Sequence, residues 1–199
     1  MIYRVENIYM NQNTIKELFV EQIRDLYDAE KQLVKALPKL AKAVESEELA
    51  QALRNHLEET QNQVARLEKI FGMAGVAAKG KPCKGMKGLI EEGSEAAQEE
   101  EGDLRDLAII AGAQKVEHYE ISAYGTARTI AEQLGLDEAA KLLQQTEDEE
   151  RAADSKLTEL AMALYESDES EAEDENMVSA GASGSRKGSS MKAGRKASA

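Results

Sequence analysis

Apolar residues recur at helical spacing along most of this chain. Ile15, Phe19, Leu26, Leu33, Leu37, Leu40 and Val44 stand three, four or seven positions apart, which lays one stripe along a helix. Thr14 and Glu17 fit a capping box at its start, and Pro38 stands inside the stripe, where a kink is expected. A second stripe carries Leu49, Leu53, Val64, Leu67 and Ile70, with Gly72 as its stop. The segment GMAGVAAKGKPCKG reads as a loop, and MKGLIEEGSEAAQEEE beside it as a shorter crossover helix. A third long helix is expected from about Asp103 to Leu134, with Ile109, Val116, Tyr124, Ala127 and Ile130 on one side. Asp137 is placed to cap a fourth, which runs through Leu143, Ala153, Leu157, Leu160 and Leu164.

Short turns within each pair force antiparallel neighbours, and a long link between pairs lets the second pair cross over. The expected fold is therefore all-α, a ferritin-like four-helix bundle with a long crossover connection. An elongated array of helical hairpins fits less well, because each helix has one apolar stripe to share. The bundle is assigned to residues 14–165, after an N-terminal extension over 1–13. Beyond Tyr165 the apolar pattern stops. Residues 166–175 carry seven acids, and the following stretch is small, polar and basic, with Arg186, Lys187, Lys192, Arg195 and Lys196. Such a segment buries too little apolar surface to offset its ordering entropy, so 166–199 reads as a disordered tail.

Composition narrows the function classes. Among 199 residues the formal charge is −13, which argues against nonspecific nucleic-acid binding by the whole surface. Cys83 is the single cysteine, so no intramolecular disulfide forms, and it reads as an incidental loop residue rather than a reactive thiol. No run approaches the roughly 18 apolar residues a membrane span needs, and the opening residues do not form a signal peptide. The expected location is the cytoplasm, with no membrane partner.

Four acids change the picture further. Glu30 and Glu59 have counterparts at Glu120 and Glu149, each displaced by ninety positions, all on or beside a predicted apolar stripe. A carboxylate facing a helical core must be neutralised, paired or bound to a metal. Carboxylate-bridged iron or manganese centres place one Glu on each of two helices and a Glu-x-x-His on each of two others. The match is partial: Asn62 stands three residues after Glu59 and Ala152 three after Glu149, where the template has histidine. His56 precedes Glu59 by three on the same face, Glu117 precedes Glu120 by three, and Glu150 adjoins Glu149. The candidate ligands are Glu30, His56, Glu59, Glu120, Glu149 and Glu150. On so acidic a chain any one glutamate is more often solvated, and Glu147, Asp148 and Asp154 are read that way. His118 is expected to point away from the stripe, and Tyr27, Tyr119 and Tyr124 to serve packing.

The strings TIKELFVEQIRDLYDAEKQLVKALPKLAK, HLEETQNQVARLEKIF, KPCKGMKGLIEEG, AQKVEHYEISAYGTA and LLQQTEDEERAADSKLTELA resemble, in the same order, the YciE/YciF family of bacterial ferritin-like proteins. The resemblance spans about residues 14–165 and leaves out the tail. It implies a ferritin-like bundle, a homodimer, an association with general or osmotic stress, and a di-iron centre near Glu30, Glu59, Glu120 and Glu149 or Glu150, with His56 beside it.

Three functions compete. A metal-binding stress protein would hold iron, or manganese, and could oxidise Fe(II) with peroxide or oxygen. A non-catalytic helical scaffold would hold its core acids in salt bridges and bind no metal. Finally, the basic tail offers contacts to DNA phosphates, for which a solvated tail is the plainer reading. An iron-storage cage finds no support in the sequence.

Overall fold

The structure, a computed structural model, describes residues 11–99 and 101–184, and side chains only to 166, omitting those of 96 and 99. Five helices follow in order: α1 (Gln12–Ala43), α2 (Glu47–Ala74), α3 (Lys84–Glu99), α4 (Gly102–Gln133) and α5 (Asp137–Gly184). No strand occurs among the described residues. The chain divides into two units, Met1–Ala161 and Met162–Ala199. The first holds the four long helices' shared core, with α3 in the crossover connection. The basic end of the tail, 185–199, lies outside the described residues, as do residues 1–10 of the N-terminal extension.

Helix ends differ from the expected ones in instructive ways. The cap of α1 is Asn11, whose side chain accepts from Asn13 N at 2.9 Å, so Thr14 lies inside the helix rather than before it. Pro38 also stands inside α1, and the helix runs on to Ala43. Gly72 does not stop α2. That role falls to Gly75, whose φ of 72° suits a residue without Cβ. The turn between α1 and α2 is held from another helix: Asp106 of α4, fully buried, accepts from Glu45 N at 3.0 Å and Ser46 N at 2.7 Å. Ser46 in turn caps α2 by accepting from Leu49 N at 3.2 Å.

α1 packs on α2, α3 and α4, and α3 lies against α4. A Cβ on Gly112 of α4 would stand 3.2 Å from Gly93 Cα of α3, so two glycines allow the close approach of these helices. One end of the bundle is filled by Phe19, Ile23, Leu26, Leu67, Phe71 and Leu143, all at most 1% exposed, with Tyr27 set edge-on to Phe71 at 5.5 Å. Each such side chain stabilises the fold by roughly 1.5–3 kcal/mol. That apolar plug ends where Glu30, Glu120 and Tyr124 begin.

Candidate metal centre

Midway along the bundle every inward stripe turns polar. α1 contributes Glu30; α2 contributes His56, Thr60 and Gln63; α4 contributes Glu117, Glu120 and Tyr124; α5 contributes Thr146 and Glu150, all of them buried. His56, Glu117, Glu120 and Glu150 each offer a donor atom, and these atoms lie within 4.8 Å of one another. His56 Nε2 is 3.5 Å from Glu117 Oε1 and 3.8 Å from Glu150 Oε2. Glu30 adjoins the group: its charge acts on Glu120, Glu150 and His56, and its Oε1 accepts from the Tyr124 hydroxyl.

The cluster is short of hydrogen bonds. Glu30 Oε2, Glu117 Oε2, Glu150 Oε2 and both carboxylate oxygens of Glu120 are buried without a hydrogen-bond partner. Buried oxygens are normally paired, and leaving several together unpaired is expensive unless something else occupies the space between them.

Electrostatics follows from that crowding. Burial, with the Tyr124 hydrogen bond opposing it, pushes the Glu30 carboxyl up to about 7. Burial, and next the charge of Glu30, raises Glu120 well above the ordinary carboxylate range. Glu150 is raised well above it by burial and then by the charge of Glu117. Burial pushes His56 down, yet Glu117 and Glu59 outweigh it and the imidazole rises to about 9. Burial thus favours the protonated form of these carboxyls, while the acids around His56 favour its charged form.

The six candidate residues fall into two groups. Glu30, His56, Glu120 and Glu150 come together in the core. Glu59 stands at the rim, its side chain 50% exposed, with Oε2 3.5 Å from His56 Nδ1. Glu149 faces Arg66, which donates to its two oxygens at 2.8 and 2.9 Å. That guanidinium holds the Glu149 carboxyl below its ordinary value although partial burial opposes it. Gln63 Nε2 donates to both Glu149 and Glu150, tying the paired acid to the inward one. Glu117 joins the cluster without having been among the six. It lies three residues before Glu120 and seven before Tyr124 on the buried face of α4, a spacing visible in the sequence.

Other residues settle more simply. Glu147, read as solvated, is 5% exposed and held by Arg128 at 3.1 Å and Arg151 at 2.7 Å. His118 is exposed, as expected, 3.4 Å from Asp154. The three tyrosines pack and also bind acids: Tyr27 donates to Glu68, Tyr119 to Asp25 and Tyr124 to Glu30. Cys83 is buried beside Asp25 and the Tyr119 hydroxyl, and burial pushes its thiol up, as for an inert cysteine.

Fold and site together define an all-helical bundle with a buried carboxylate–histidine cluster at mid-height. Residues 14–169 match the family described as a domain of unknown function, DUF892, and the chain belongs to it. It is 50% identical over 155 residues to the protein YciF of Escherichia coli K12, covering 77% of this chain and 93% of that one. The crystal structure of the E. coli stress protein YciF superposes with a TM-score of 0.74 at 48% identity, covering 76% of this chain and 97% of that one. YcfI of Rhodopseudomonas palustris gives 0.71 at 39% identity, covering 78% and 98%. A Xanthomonas campestris protein gives 0.62 at 18% identity over 80% and 99%, which speaks to the fold alone. No helix among the described residues is long and apolar enough to cross a membrane.

Proposed function

We propose that this protein is a ferritin-like metalloprotein of bacterial stress defence, holding a pair of divalent cations between Glu30, Glu117, Glu120, Glu150 and His56. The observation that carries the reading is the set of buried, unpartnered carboxylate oxygens on three helices converging around one imidazole. Four carboxylates balance the charge of two divalent cations, and a set of oxygens with one nitrogen suits iron or manganese. The stress role is the one named for the E. coli relative.

When bound, redox-active cations such as iron supply the electrons for reducing oxygen or peroxide. The chain's own part is positioning and proton handling. Tyr124 fixes Glu30 by donating to Oε1, and Gln63 fixes Glu150. Arg66 holds Glu149 aside and donates to Thr146 Oγ1. Because burial raises the proton affinity of the cluster carboxyls, cation entry competes with protons, so affinity should rise with pH.

The test is elemental analysis of protein purified without chelator, together with thermal melts under anaerobic Fe(II) or Mn(II). A ligand at 100 times its Kd adds about 2.7 kcal/mol, or roughly 5–10 °C for a domain of this size. Sub-stoichiometric metal and an unmoved Tm for both ions would overturn the reading and leave the salt-bridged scaffold in its place.

A further inference from the structure

The apolar plug closes one side of the carboxylate–histidine cluster, and a cleft opens the other. Along α1 the plug residues Phe19, Ile23 and Leu26 precede Glu30, whereas Leu33 and Leu37 follow it and line the cleft. The cleft has a volume of about 700 Å³ and is walled by all five helices. Ala52 of α2, Ala113 of α4 and Ala153 of α5 also line it, and their small side chains leave its space open. Asn55, Glu59 and Ala152 border the cleft and are exposed, while His56 and Glu117 border it and are buried. It therefore runs from solvent to the edge of the cluster.

Glu59 and His56 stand one turn apart on α2 along that run. Glu59 is half exposed, its Oε2 is 3.5 Å from His56 Nδ1, and that nitrogen is buried without a hydrogen-bond partner. On the other edge of the ring, Nε2 is 3.5 Å from Glu117 Oε1. We propose that Glu59 Oε2 and His56 Nδ1 form an outer, transient site for a divalent cation, Fe(II) or Mn(II), which passes from there to the inner carboxylates.

The gap, the charges and the imidazole all bear on that assignment. A divalent cation at roughly 2.0–2.2 Å from each of two ligand atoms can span a separation of 3.5 Å. Among the described residues no Lys or Arg lies within ion-pair distance of Glu59. The basic groups nearby are engaged elsewhere, Arg66 with Glu149 at 2.8 Å and Lys156 with Glu159 at 3.1 Å. Glu59 thus presents its charge at the rim of the cleft, where it attracts cations from solvent. A cation reaching Nδ1 displaces any proton there to solvent. A neutral imidazole has one lone pair, so the outer and inner positions use His56 in turn, with the ring proton on the nitrogen the cation is not using. The outer pair is a staging point and not a third resident site.

This inference rests on the metal reading above and gives the inner cations their way in. The full chain, freed of metal by chelator, is mixed anaerobically with Mn(II) or Fe(II), and the free cation is followed by stopped flow with a fluorescent indicator. Glu59→Gln should load about tenfold or more slowly than wild type, and its rate should fall less steeply as salt rises. Its final metal content and metal-bound melt should match wild type. Glu58→Gln removes the same charge from an exposed acid one position earlier on α2 and should load as fast as wild type. Loading of Glu59→Gln at the wild-type rate overturns the inference. Equal slowing in Glu58→Gln does so too, since the effect is then one of net charge. A lower final metal content in Glu59→Gln also overturns it, because Glu59 then belongs to the resident site or holds His56 in place for it. If wild type takes up neither cation, the metal reading fails and the outer site with it; full but unslowed loading of Glu59→Gln removes the outer site alone.

Discussion

Glu30→Gln separates the burden of an empty acidic core from its benefit when filled. Glu30 is 0% exposed, and burial lifts its carboxyl from an ordinary 4.5 to about 7. Across that interval, at about 1.36 kcal/mol per pH unit, the difference amounts to roughly 3 kcal/mol. The folded pKa lies above the unfolded one, so between pH 4.5 and 7 the folded chain binds more protons than the unfolded chain. Stability of the metal-free protein therefore falls as pH rises through that window and stays lower above it. Glutamine has no proton to lose, and its Oε1 can still accept from Tyr124. In urea denaturation with chelator, Glu30→Gln should be more stable than wild type by about 1 kcal/mol at pH 5.5 and about 3 kcal/mol at pH 8. With saturating Mn(II) the order should shrink or reverse, because the variant has lost a charged ligand. A variant less stable than wild type by the same amount at both pH values, without metal, would refute the reasoning.

Three further outcomes are expected. Glu150→Gln should lower bound metal sharply while Glu149→Gln leaves it near wild type, because Glu150 faces the cluster and Glu149 faces Arg66; equal losses in elemental analysis would contradict the assignment. Asp106→Ala strands two backbone donors at the α1–α2 turn and should cost about 2–4 kcal/mol by urea denaturation, with metal binding retained by the folded fraction. Gly112→Val drives a side chain toward the Gly93 backbone at 3.2 Å and should cost about 1–3 kcal/mol, seen as a lower Tm; an unchanged melt would mean α3 moves aside freely.

Most of the architecture was legible because helical periodicity is a local property. The long-helix stripes and the loop-rich crossover follow from spacing alone. The caps were less legible, since Asn11 and Gly75 compete locally with Thr14 and Gly72 as ends. The site was partly legible too. The stripe on α2 passes through Leu49, Leu53, His56, Thr60, Gln63, Leu67 and Ile70, so His56 lies on it and Glu59 beside it. On α5 the spacing from Leu143 through Thr146 to Leu157 includes Glu150 and passes by Glu149. The ninety-residue echo drew attention to the right height of the bundle, while the heptad-like stripe carries the finer information about which acid faces inward.

What the sequence determined by itself is therefore the set of helices, their order, and the fact that several acids lie on or next to faces that must be buried. Periodicity and connection length suffice for that, because each depends only on neighbouring residues along the chain. What tertiary structure supplies beyond the stripe is a partner for the acid left beside the core. Arg66 on another helix reaches Glu149 and satisfies it, leaving Glu150, a rotation of about 100° further round α5, against His56 and Glu117. The cleft is likewise a property of packing. Alanines at 52, 113 and 153 are unremarkable helix formers in the sequence, and they come to line one cleft only where three helices bring them to one place.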